Sequence, residues 1–217
     1  MAHDDEAHLD ERLLHRLLFF TDAVFAIVLT LLVLELRPPP VRDVEGPAHA
    51  IAEMGPHFLA FFMSFALIGV FWGAHMNTSR RMIRFDWPTA WTNLAFLFPI
   101  CLIPFVSAWY GQGLGSPFIW AMYCWVLVGT SAGNMALVLV MARGGGRLMA
   151  PGFSPQERTY RVARAAGPGL SFGFGLLMLA AGQYILGQFC WVLIPVLFGV
   201  IEATLKPRGP QPVAGPV

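Results

Sequence analysis

The chain has 217 residues, 56% of them hydrophobic and only 12% charged, with a formal net charge of +1. An ordinary soluble domain carries about twice that charged fraction, which argues against a water-soluble monomer, and the near balance of signs gives no reason to expect a nucleic-acid partner. The charges are clustered: 26 uncharged residues separate Glu53 from Arg80, 56 separate Asp86 from Arg143, and 37 separate Arg164 from Glu202.

A helix needs about 20 apolar residues to cross about 30 Å of hydrocarbon, so these runs predict membrane spans. The longest divides at the turn-forming stretch 111–117, Gly-Gln-Gly-Leu-Gly-Ser-Pro, and the 37-residue run divides between Gly182 and Gln188. Six spans result, at 15–36, 53–77, 87–110, 117–142, 160–182 and 185–205, in an all-α membrane protein. The first is not a cleaved leader, because acidic residues precede it and Asp22 lies inside it. Residues 1–14 form an N-terminal segment, 15–206 the six-helix unit, and 207–217, rich in Pro and Gly, a disordered tail.

With six spans both termini share a side. That side holds 12 of the 14 basic residues, leaving Arg37 and Arg42 on the other, so the positive-inside rule places both termini in the cytoplasm of a multi-pass membrane protein. Cys101, Cys124 and Cys190 fall within spans and read as packing residues. His15, His49 and His57 share no ligand spacing, so neither a metal site nor a resident cofactor is expected. The pairs Gly129/Gly133 and Gly169/Gly173 suit close helix approach, and Pro99, Pro104, Pro168 and Pro195 suit kinks.

The first span carries the most information. A carboxylate inside a span is costly unless paired or hydrated, which marks Asp22 as a functional candidate. Arg16, six residues away, lies on another face, so partners must come from other helices. Trp72, His75 and Asn93 lie at matching depth and together could satisfy the carboxylate. Ala23, Ile27, Thr30, Leu31 and Leu34 form one helical stripe. Asp22 is about 140° from Ile27 on the wheel, so a helix aiming the stripe at a central axis aims the aspartate back into its own subunit. By itself the stripe reads as ordinary lipid-facing or core packing.

Arg16-x-x-x-Phe20-Thr21-Asp22 with the apolar run after it, Trp72-x-x-His75 closing the second span, and Asn93-Leu94 with Pro104-Phe105 in the third resemble the transmembrane-protein-175 family of endosomal and lysosomal potassium channels and their prokaryotic homologues. The resemblance implies a homotetramer of single six-helix units in a bacterial plasma membrane, with the first helix lining a central pore. It implies a hydrophobic constriction at Ile27, with Leu31 and Leu34 narrowing the pore, and potassium selectivity associated with Ile27 and Thr30. Arg16, Phe20, Thr21, Asp22, Trp72, His75 and Asn93 would form the polar network holding the helices. Thr21 stands where the family has serine, and Met76 where many relatives have a second histidine.

No Thr-Val-Gly-Tyr-Gly-like segment is present, so a filter of backbone carbonyls is not expected. Passive conduction of potassium and other monovalent cations, with weak preference over sodium, would then rest on the apolar ring and four Thr30 hydroxyls. No span repeats arginine at every third position, which removes a voltage sensor of the usual kind. Glu35 either forms an acidic ring at the outer mouth or is a solvated carboxylate beside Arg37. Two alternatives stay open: a proton-conducting channel of the same family, and an enzyme or receptor using Asp22, His75 and Asn93 as an intramembrane polar site.

Overall fold

The computed structural model describes residues 2–38 and 46–207. Six principal helices follow in order: α1 (Ala2–Leu31), α2 (Pro47–Ser79), α3 (Trp87–Gln112), α4 (Pro117–Met141), α5 (Pro155–Ala180) and α6 (Leu193–Leu205). Among the described residues the only strand-like feature is an isolated antiparallel bridge between Met82 and Met149. The protein is an all-α, multi-pass membrane protein: five elements are long and apolar enough to cross a bilayer, and a shorter apolar one covers Cys190–Leu205. The predicted tail falls almost wholly on residues 208–217, outside the described part.

Local sequence sets most boundaries. Asp86, Ser116 and Ser154 each cap a helix by accepting from the backbone N–H three residues on, and each helix has proline in its first two positions, where a missing N–H costs nothing. Gly182, at a φ of 75°, closes α5; its N–H donates to Leu179 O and that of Gln183 to Met178 O, satisfying carbonyls the helix leaves free.

The helix that carries the first predicted span starts at Ala2, ahead of that span, because residues such as Leu9, Glu11 and Arg12 are good helix formers and no proline or glycine interrupts them; it ends in a 3-10 turn, Leu32–Glu35. One expectation is corrected: the sixth span is not one helix over 185–205. A one-turn helix at Tyr184–Gln188 and a 3-10 turn at Cys190–Val192 precede the 13-residue α6, and Cys190–Leu205 reaches only about 24 Å. Pro195 therefore lies in the first turn of α6 and kinks nothing.

Packing centres on α4, which lies between α3 and α5; α2 and α1 pack on α3, and α6 on α5. Tyr110, Trp120, Tyr123 and Phe172 form a buried aromatic cluster there. Within it Ser64 donates to Ser107 Oγ at 2.9 Å and Ser107 donates to Ala60 O at 3.1 Å, so polar groups in the span are paired internally. Of the glycine pairs, one member of each lies at a contact. A Cβ on Gly133 would stand 3.0 Å from Phe96 Cα and one on Gly169 2.7 Å from Ser131 Oγ, whereas Gly129 and Gly173 face open space.

The inter-helix loops of one side are tied together. Ile83 N–H donates to Leu148 O and Ala150 N–H to Arg81 O. Asp86 binds Arg143, Glu157 binds Arg81 and Arg161, Arg161 also donates to Asn77 O, and Glu202 near the end of α6 meets Arg164 and Tyr160. Loops 80–86 and 142–154 and the end of α6 thus share one face, as an even number of crossings requires.

Candidate functional site

One face of α1 is buried: Leu14, Thr21, Phe25, Val28 and Leu32 recur at helical spacing and pack toward α2 and α3. The opposite face is open in the single chain, with Ile27 58% exposed, Leu31 41%, Leu34 65% and Thr30 exposed as well. Large apolar side chains are thus displayed along a helix otherwise anchored on one side. Thr30 Oγ donates to Ile27 O at 2.8 Å, which uses its only proton and leaves the oxygen lone pairs free to face a cation.

The polar network splits in two. Thr21, on the buried face, donates to Leu17 O at 2.9 Å and accepts from Asn93 Nδ2 at 2.7 Å. Asn93 Oδ1 lies 3.1 Å from His75 Nε2. With the amide nitrogen turned to Thr21, the amide oxygen can only accept, so His75 carries its proton on Nε2. This chain links α1, α3 and α2, and Thr21, Asn93 and His75 are all buried. Phe96 stacks on the imidazole, with centroids 5.9 Å apart and an interplanar angle of 11°, and Phe25 packs beside both.

Asp22 lies elsewhere, about 100° round the helix from Thr21. It is exposed in the single chain, accepts from Trp72 Nε1 at 3.0 Å, and lines an open groove with His15, Arg16, Phe19, Phe20 and Ala23. The expectation that Trp72, His75 and Asn93 jointly satisfy a buried Asp22 is therefore corrected: among the described residues Trp72 alone reaches the carboxylate, while Asn93 serves the neighbouring Thr21 hydroxyl and His75 serves Asn93. Nor is Asp22 turned into the subunit, because the face that meets α2 and α3 is centred one residue away, on Thr21. Arg16 and Phe20 are exposed on the groove and, among the described residues, Arg16 forms no ion pair.

Sequence reasoning did not single out Phe25 and Phe96. Their positions held a signal, since Phe25 is four residues from Thr21 and Phe96 three from Asn93, on the same helical faces. At the other end of α1, Leu31, Leu34, Glu35 and Arg37 border a groove against Phe105 and Trp109 of α3. Cys124 and Cys190 are buried, whereas Cys101 lies exposed on that groove.

Comparison with known proteins bears on residues 16–104, which match the family described as Endosomal/lysosomal potassium channel TMEM175. A potassium channel of Streptomyces collinus is 28% identical over 188 residues, covering 82% of this chain and 91% of that one. One from Chamaesiphon minutus is 36% identical over 45% of this chain and 49% of its own length. The endosomal/lysosomal proton channel TMEM175 of Bos taurus is 39% identical over 36% of this chain and 19% of its own. The fold is similar to the crystal structure of a lysosomal potassium-selective channel TMEM175 homolog from Chamaesiphon minutus, with a TM-score of 0.61 and 23% identity, covering 89% of this chain and 96% of that one.

Proposed function

We propose, from the premise that the chain belongs to the TMEM175 family of ion channels, that four copies surround a pore lined by α1 and pass potassium passively. The observation that carries this reading is the open stripe of Ile27, Thr30, Leu31 and Leu34 on a helix whose opposite face is fixed to α2 and α3. Leucine and isoleucine rings facing an axis make a constriction that holds back water and ions until it widens. Thr30, its proton committed to its own helix, supplies oxygen to a partly dehydrated ion. Such a ring favours potassium over sodium only weakly, because potassium sheds water more readily and no carbonyl cage is present. The ion is permeant cargo, not a resident cofactor.

In this reading the Thr21–Asn93–His75 chain sets the rotation of α1 about its axis and so keeps Ile27 on the pore. Asp22, held by Trp72 and flanked by Arg16 and Phe20, sits where a neighbouring subunit's first helix would pass. The unit is 15–206, with 1–14 and 207–217 outside it. The basic side faces the cytoplasm of a bacterial cell, with Glu35 at the outer mouth. The test is a bilayer recording on the purified chain under opposed potassium and sodium chloride. Current with a reversal potential favouring potassium supports the reading, and silence from a folded, reconstituted tetramer contradicts it.

A second reading, proton conduction, is favoured by the proton-channel name of the Bos taurus relative. A pH gradient at symmetrical potassium separates the two: a reversal potential that follows the proton gradient supports the second, and one fixed at zero supports the first.

A further inference from the structure

Several features outside α1 compete for a role. The apolar groove between α2 and α6, bordered by Phe62, Met63 and Trp191, offers nothing that identifies its occupant. The loop face offers more. Between the end of α4 and the start of α5 lies a cavity of about 160 Å³ lined by Arg143, Gly144, Gly145, Gly146, Ser154 and Arg158. At about 30 Å³ per water molecule it has room for about five, or for one polyatomic anion.

Its charge is one-sided. Arg143 is held in place by Asp86, with Nε buried and without a partner. Arg147, 63% exposed, touches the same carboxylate only at 3.7 Å. Arg158 is exposed and, among the described residues, forms no ion pair, and Arg84 is likewise exposed on the bridged loop. Among the described residues Asp86 is the one carboxylate in contact with this group, and the nearby Glu157 is occupied by Arg81 and Arg161. Gly144, Gly145 and Gly146 all have positive φ, of 59°, 72° and 81°; the side chains of Arg147 and Phe153 lie against Gly144 and Gly146, and Gly145, with nothing within 4 Å of where a Cβ would stand, leaves backbone open to an anion.

Position names the source of the anion. α4 is uncharged up to Met141, next to the cavity, whereas α5 carries charges as far as Arg164 before its apolar run begins. Asp86, bonded to Arg143, is followed by Trp87 and Trp91, both exposed by about two thirds; tryptophan is enriched where hydrocarbon meets headgroups. We propose that this cavity binds the phosphate of an anionic phospholipid, with Arg143 and Arg158 on the phosphate and Trp87 beside the glycerol region. Arginine suits phosphate through its paired N–H groups, and an anionic leaflet concentrates such headgroups at basic loops. The inference is independent of conduction.

The test titrates the purified full chain in uncharged detergent with short-chain phosphatidylglycerol, phosphatidylcholine or inorganic phosphate and reads the melting temperature. Phosphatidylglycerol should raise it saturably while phosphatidylcholine leaves it unchanged, and Arg158→Gln should weaken the apparent affinity about tenfold, as expected for one charged hydrogen bond. Among the described residues Arg158 touches no carboxylate, so this variant keeps the fold, which its own melting temperature without lipid verifies. Equal shifts with both lipids, an unchanged affinity in Arg158→Gln, or inorganic phosphate matching phosphatidylglycerol would each overturn the assignment, the last by showing a free-anion site.

Discussion

Thr21 is the residue on which the orientation of α1 turns. Its hydroxyl is donor to its own helix and acceptor from Asn93, so one oxygen ties α1 to α3 and, through the amide, to His75 on α2. A buried polar group left alone in a span finds no water to replace its partner, although hydrogen bonds between membrane helices average only about 0.6 kcal/mol. Asn93→Leu removes two such bonds and strands the imidazole N–H, which is expected to cost about 1–3 kcal/mol; Thr21→Ser keeps both bonds and costs about 1 kcal/mol or less for the lost methyl. Melting temperatures of the two variants check the order. The sequence showed that Asp22 needed partners, and it showed the residues available. It did not show which went where, because a one-residue step on a helix moves a side chain by about 100°, and the packed face of α1 is centred on Thr21, a position that the apolar stripe does not mark.

At the scale of elements, the end of charge at Asp86 and the turn stretch 111–117 place the starts of α3 and α4 where they are observed. The Ser154 cap and Pro155 start α5 five residues before the predicted 160, because charges continue through its first turns. The sixth span was not legible, since Tyr184–Cys190 is as apolar as a helix that crosses, and hydropathy does not distinguish crossing from folding back. What permits the fold-back is small residues: Gly187 lies against Gly175, where a Cβ would meet the backbone oxygen at 2.9 Å. The same logic sorts the two glycine pairs in a way spacing alone could not. Gly169→Ala places a methyl against Ser131, whose hydroxyl bonds Gly169 N–H and Ala165 O, and overpacking of this kind costs about 1–3 kcal/mol. Gly173→Ala, in open space, is expected to be neutral or slightly stabilising. Thermal unfolding of the pair measures the difference directly.

For the molecule as a whole, the sequence counted the charges on one side but not their pairing, because Asp86 and Arg143 are 57 residues apart in the chain. Burial would raise the Asp86 carboxyl, but hydrogen bonds from Thr89 and Arg143 and the arginine's charge outweigh it, leaving Asp86 below the usual carboxylate range. A carboxylate lowered on folding stabilises the native state at pH above its unfolded value, about 3.9, and that contribution is lost as pH falls through the folded value. Wild-type protein should therefore lose more stability between pH 5 and pH 3, taken as about one unit either side of that value, than Asp86→Asn does. Asparagine caps a helix as well as aspartate, so the comparison isolates the charge. Parallel melting curves across that range would contradict the assignment.

The proposed channel function depends on the open face of α1, and Ile27 within it, bordering the ion path. Bilayer recordings of wild type and Ile27→Asn, under opposed potassium and sodium, test it most directly. A polar ring should wet the constriction, so conductance is expected to rise and the reversal potential to move toward zero. Identical conductance and reversal potential in the two proteins, with both reconstituted as folded channels, would place the pore elsewhere.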